Sequence, residues 1–192
     1  MKRLTLPICL VTLLYFCGNS QTMDSAAMMK AWQEYMTPGD MQKMLAKADG
    51  AWDTEISYWV DPSQPAQKSM GTCTNKMVLN GLYQESVFKG NMMGMPFEGH
   101  GTVGYDNAKK IFVSSWIDNM GSGIMNLQGT WDNASNSLVL KGTTTEPTTG
   151  KDTEVREVLK IIDNNNHVME MYGAGPDGKE MKMMEIKFTR KK

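Results

Sequence analysis

Few residues in this chain are equipped for chemistry. His100 and His167 are its two histidines. His100 falls mid-strand beside glycines, where an imidazole serves as a ligand or acid–base group once a partner meets it, and otherwise is structural. His167 follows Asn164-Asn165-Asn166 and is expected to be a solvated turn residue. No Ser-His-Asp order, His-x-x-x-His spacing or nucleophile elbow occurs, so hydrolase and zinc readings lack their parts. Cys73 is the single thiol beyond the first twenty residues, too little for a disulfide framework or a cysteine-based zinc site. Gly99-His100-Gly101-Thr102-Val103-Gly104 matches the dinucleotide fingerprint in form, yet Tyr105-Asp106-Asn107 makes a turn where that motif needs a helix N-terminus. These glycines read as strand residues that permit curvature or bulging, and no cofactor is implied.

Methionine is abundant, with 19 in the chain. Met92-Met93-Gly94-Met95 and Met181-Lys182-Met183-Met184 are the dense clusters. Thioethers are soft ligands that select Cu(I), which opens a copper-handling reading. The alternative is methionine as an adaptable filler of cores and of pockets for flexible apolar ligands.

The elements that must position such residues change character along the chain. Lys2 and Arg3, the apolar run Leu4 to Phe16 and the polar Gly18-Asn19-Ser20-Gln21-Thr22 follow the order of a secretory signal, and the run is too short to span a bilayer. Residues 1–20 are therefore expected to be a signal peptide, with an extracytoplasmic destination in the periplasm or medium. Cleavage after Ser20 gives a free protein; lipidation of Cys17 would give a membrane-anchored one, although Phe16 is a poor residue to precede it. Loss of Lys2 and Arg3 from 20 basic residues leaves the 21 acidic residues in slight excess, so no nucleic-acid footprint remains. Residues 21–48 form a helical lead-in: Asp24 and Ser25 offer N-caps, Pro38-Gly39 breaks the run, and Met41, Met44, Leu45 and Ala48 share one apolar face.

From residue 49 to 192 the texture is that of short β-rich runs. Strands are expected over Ala51–Val60, Lys68–Leu79, Leu82–Lys89, Phe97–Tyr105, Lys110–Ile117, Gly123–Trp131, Ser137–Thr144, Thr153–Ile162, His167–Tyr172 and Lys179–Arg190. Asn80-Gly81, Asp106-Asn107, Asp132-Asn133, the 163–166 Asp-Asn run and Pro176-Asp177-Gly178 supply turns. Ten strands with no interleaved helices describe an all-β, antiparallel up-and-down barrel, closure being what removes exposed edges. The threonine-rich stretch Thr143–Gly150 reads as a hairpin tip or a contact loop.

Particular residues carry a family likeness. They are Gly50-Ala51-Trp52, Tyr58-Trp59, Pro62 and Pro65, Gly71, Asn80-Gly81-Leu82-Tyr83, Gly99 to Asp106, Trp116-Ile117-Asp118 and Gly129-Thr130-Trp131-Asp132. Together they resemble the DUF1579 group, bacterial proteins of unknown function similar to the calycins, the superfold of lipocalins and fatty-acid-binding proteins. The likeness spans Met41 to Arg190 and implies a calycin-like barrel with Trp52 pointing inward as a floor residue. Thr54, Ile56 and Tyr58 then share its face by period-two alternation.

For the Thr153–Ile162 strand, Val155, Glu157, Leu159 and Ile161 share one face and Arg156, Val158, Lys160 and Ile162 the other; alternation alone does not say which is inside. The calycin likeness makes an inward arginine or glutamate an anchor for a ligand head group. Arg156 is the candidate, because a guanidinium grips a carboxylate with two parallel bonds. The alternative is an exterior Arg156 in a surface ion pair. Candidate ligand-binding residues are thus Tyr58, His100, Trp116 and Arg156, with no catalytic or metal site assigned. The leading expectation is a binding module holding a small apolar or amphipathic molecule. A solid barrel acting as an envelope interaction module stands beside it, with copper handling and catalysis behind. Oligomeric state is left open.

Overall fold

In the computed structural model the described residues are 24–192. The proposed signal peptide and Cys17 lie outside them. Helices α1 (Ser25–Met36) and α2 (Asp40–Ala46) precede ten strands. These are β1 (Gly50–Tyr58), β2 (Gln67–Val78), β3 (Tyr83–Met92), β4 (Met95–Asp106) and β5 (Ile111–Asp118), then β6 (Met125–Asp132), β7 (Ser137–Glu146), β8 (Lys151–Ile161), β9 (Asn166–Ala174) and β10 (Glu180–Arg190). Each pairs antiparallel with its neighbour, and β1 pairs with β10, closing the barrel. Every strand expected from alternation and turn residues is present, so the all-β up-and-down barrel with its helical lead-in stands.

Alternation assigns the faces once the register is known. Trp52, Thr54 and Ile56 are buried on β1 while Ala51, Asp53 and Glu55 are exposed. Their cross-strand partners continue the inner face: Trp52 opposes Cys73, which opposes Phe88, which opposes Gly99. Glycines make room where the wall carries large rings. A Cβ on Gly99 would collide with the Trp116 indole, and one on Gly101 would come within 3.1 Å of it. The fingerprint-like glycines are therefore strand residues that accommodate a tryptophan.

One end of the barrel is plugged by α2. Leu45 joins the buried cluster of Phe112, Leu127, Leu138, Leu140 and Val155. Polar side chains staple the plug to the wall. Buried Gln42 donates from Nε2 to the Tyr105 carbonyl at 3.1 Å and to Asn107 Oδ1 at 3.0 Å. Gln84 donates to the Leu45 carbonyl at 2.7 Å and to Asp49 Oδ1 at 3.0 Å. Trp52 Nε1 donates to the Ala48 carbonyl, and Arg190 lies over the Trp52 ring while its guanidinium donates to the Lys47 and Asp49 carbonyls. Trp52 is thus a floor residue, as its position at the strand start implies. The β1–β2, β3–β4, β5–β6, β7–β8 and β9–β10 connections all gather at the opposite end. The threonine-rich tip is among them, a tight turn in which Gly150 has φ +67 and the Glu146 carboxylate accepts from Thr148.

Candidate functional site

The lumen between plug and open rim contains one group that the rest of the fold does not explain. Glu157 on β8 opposes Leu140 on β7 and Met171 on β9. The row continues through Met184 and Tyr58 to Gln67. Leu140 is fully buried and Met171, Met184 and Tyr58 pack against the inner clusters, so Glu157 projects into an apolar, methionine-rich interior. It makes no hydrogen bond or ion pair with any described residue. Burial pushes its carboxyl up from 4.5 to about 7, desolvation disfavouring the charged form with nothing to offset it.

Glu157 is enclosed by the wall yet only half-buried, as are Phe88, Trp116, Met169, Met171 and Met184. These inward side chains are thus not packed over completely by their neighbours. Two hydroxyls there also lack partners: Thr54 Oγ1 on β1 and Ser69 Oγ on β2. Both are closed off by their neighbours; buried polar atoms are ordinarily satisfied, and Glu157 is the unmet inward group that keeps some accessible surface. The aromatic side of the lumen is ordered by ring contacts. Phe88 meets Trp116 edge-on at 5.3 Å and Phe188 at 5.7 Å, and Phe97 stacks on Trp116 at 6.4 Å.

The four candidate residues separate by parity. Tyr58 and Trp116 face the lumen; Tyr58 donates to Gln67 Oε1 at 2.8 Å and Trp116 Nε1 to Asp118 Oδ2 at 2.7 Å. His100 and Arg156 do not. His100 opposes Val87 and Ile117 on the outer face, is 51% exposed and lies 3.1 Å from Glu98 Oε1. That contact, with the Lys89 charge, holds the Glu98 carboxyl below its usual range. Arg156 opposes Tyr172 outside, covers its ring at 3.9 Å and grips the Glu180 carboxylate from Nε and Nη2 at 2.8 and 2.6 Å. The exterior ion pair is the arrangement found, and Arg156 as a lumen anchor is corrected: one residue along β8, the opposite charge occupies the interior. His167 is also corrected. It is buried, its ring 4.6 Å from that of Trp52, and burial lowers its pKa, because it opposes Phe188 on the inner face rather than lying in the preceding turn.

Glu157 was recoverable from the sequence only in part. Its face carries Val155, Leu159 and Ile161 with a single charge, whereas the other carries Arg156 and Lys160, and the less charged face is the inner one. Chemically, a carboxyl near 7 donates a hydrogen bond when protonated and accepts when ionised. No second acid, base or nucleophile contacts it among the described residues, so an acid–base pair is not assembled. Cys73 is sealed in the wall, its thiol pushed up to about 12 by burial, which leaves little nucleophilic thiolate at neutral pH. The methionine clusters also part company. Met93 and Met95 are exposed at the β3–β4 turn, while Met184 packs inside with Ile56 and Ile186. Two surface depressions, about 650 Å³ beside α1 at Asn107–Lys110 and about 280 Å³ across β5–β7, enclose no comparable group.

Among solved structures, Rv2717c from M. tuberculosis is similar in fold, with a TM-score of 0.62 at 10% identity over 81% of this chain and 100% of that one. A redesigned β-barrel aligns at TM-score 0.40 and 14% identity, covering 77% of this chain and 95% of its own. No curated protein matches. The model of DUF1579, a family described as proteins of unknown function, matches residues 37–190, from the break between the helices to the end of β10, and the chain belongs to that family.

Proposed function

We propose that this barrel is a binding module that holds a small amphipathic molecule in its lumen. The observation that carries the reading is Glu157, an inward carboxyl without a partner that its neighbours do not cover completely. A solid barrel would cover such a group with apolar atoms or supply a donor, since an unmet buried polar group costs about 1–3 kcal/mol and more when charged. Methionine and aromatic side chains around it suit a flexible apolar body, and the rim opposite the α2 plug is the route of entry.

We also propose that the chain is exported, on the strength of the Lys2-Arg3, apolar and small-polar order at its start. One sample tests both readings: the protein purified from the organism that makes it, weighed under native and denaturing conditions. The expected result is a denatured mass that begins at Gln21 and a native mass larger by one small molecule. Equal native and denatured masses would count against a resident ligand, and a mass retaining residues 1–20 against export. A diacylated Cys17 would replace the free form with the anchored one.

A further inference from the structure

The polarity of the lumen says which kind of head group it takes. Inward positions can be followed strand by strand from the register, and between the plug and the rim none carries a lysine or arginine. Arg190 marks the closed end, where it is committed to the Asn164, Lys47 and Asp49 carbonyls. Lys151 stands at the open rim opposite Glu146. Lys182 would enter the lumen with Met184 under strict alternation, but the β10 bulge between them turns it outward, onto Glu170 at 3.2 Å and Glu185 at 2.5 Å. The inward acids near the rim are already engaged: Asp118 by Trp116 Nε1 and the Met120 amide, Glu146 by Thr148. Among the described residues Glu157 is left as the one inward charge without a partner between plug and rim, and it is an acid.

We propose that the ligand of this lumen is an amphipathic molecule with a cationic or hydrogen-bond-donating head, an amine above all, which Glu157 receives while its apolar body lies among Phe88, Trp116, Met169 and Met184. An anionic head would meet like charge with no cation to offset it. A protonated amine supplies what the carboxyl lacks, and ammonium–carboxylate hydrogen bonds are about twice as strong as neutral ones. The near-neutral carboxyl supports the assignment, since pairing with an ammonium recovers the cost of ionising it in place.

This inference rests on the binding reading, and the test separates the two. The full mature chain is titrated with the neutral dye Nile red at about pH 8, and decylamine, decanol and decanoate compete below their micellar concentrations. We expect Nile red to bind and decylamine to displace it at least tenfold more effectively than decanoate. Glu157→Gln should abolish the advantage of decylamine over decanol. Lowering the pH to about 5 should weaken the amine preference of the wild type as Glu157 takes up its proton. Leu140 and Met171 flank it on β7 and β9 and do not titrate. The remaining ionisable groups turned inward are Tyr58, Cys73, Tyr105, Asp118, His167 and Arg190, with Glu146 and Lys151 at the rim, and the Glu157→Gln comparison removes their share. Failure of the dye and all three competitors to bind would overturn the binding reading itself. Dye binding with decanoate equal to or better than decylamine, or an amine preference that survives Glu157→Gln, would overturn this inference alone.

Discussion

Glu157 and Arg156 are neighbours in sequence, and a half-turn of the backbone gives them opposite fates. The arginine finds Glu180 and the Tyr172 ring outside, and the glutamate finds nothing within. The consequence is a pH dependence with a definite sign. A carboxyl raised from 4.5 to about 7 on folding leaves stability intact below its unfolded value, and the stability declines as pH rises through that interval. At about 1.4 kcal/mol per unit the full shift is worth roughly 3 kcal/mol. Glu157→Gln is therefore expected to raise the Tm by several degrees at about pH 8 and to leave it unchanged at about pH 4.5, read from thermal unfolding at both. Equal Tm differences at the two pH values would show that the carboxyl is not desolvated. His167 works in the opposite sense, its depressed value withdrawing stability as pH falls below its ordinary range, but it is common to both proteins and cancels. At this scale the sequence was partly legible. Tyr58 falls inside because β1 alternates cleanly, whereas β5 is apolar on both faces and β8 carries charge on both, so that cross-strand partners decide how Trp116 and Glu157 point.

Helix α2 is short, seven residues, and would not persist alone. Its stability comes from Leu45 seated in the barrel and from Gln42 and Gln84, which satisfy backbone groups that the closed end would otherwise bury unmet. Leu45→Ala is expected to cost about 2–5 kcal/mol, as for other buried leucines. Gln84→Ala, which strips donors from the Leu45 carbonyl and Asp49, should cost about 1–3 kcal/mol. Urea unfolding measures both, and losses below 1 kcal/mol in each would mean that α2 is not a plug. The apolar spacing Met41, Met44, Leu45, Ala48 pointed to this helix, and its N-terminal break at Pro38-Gly39 was equally plain. The β10 bulge was less plain: the apolar positions change parity between Met183 and Met184, but only pairing with β9 shows that a residue is skipped there and Lys182 is turned out. The burial of His167 was hidden, being set by Phe188 and Trp52 from distant strands.

For the molecule as a whole, ten strands and their turn residues made the closed barrel legible, because each hairpin is specified locally and closure follows from their number. Whether the barrel is hollow is not a local property. It depends on the sum of side chains over ten inner faces, including Gly99 and Gly101, which make room for the Trp116 ring. A plugged floor, inner strand faces without lysine or arginine between plug and rim, and the unmet Glu157 carboxyl together describe the binding cup proposed for this barrel. A crystal structure of the mature protein at about pH 8 tests that description most directly. It is expected to show ordered water or a bound molecule within hydrogen-bond distance of the Glu157 carboxylate, in continuous space leading to the rim. A lumen closed over Glu157 by Met171, Met184 and Tyr58, with no solvent or ligand beside the carboxylate, would contradict it.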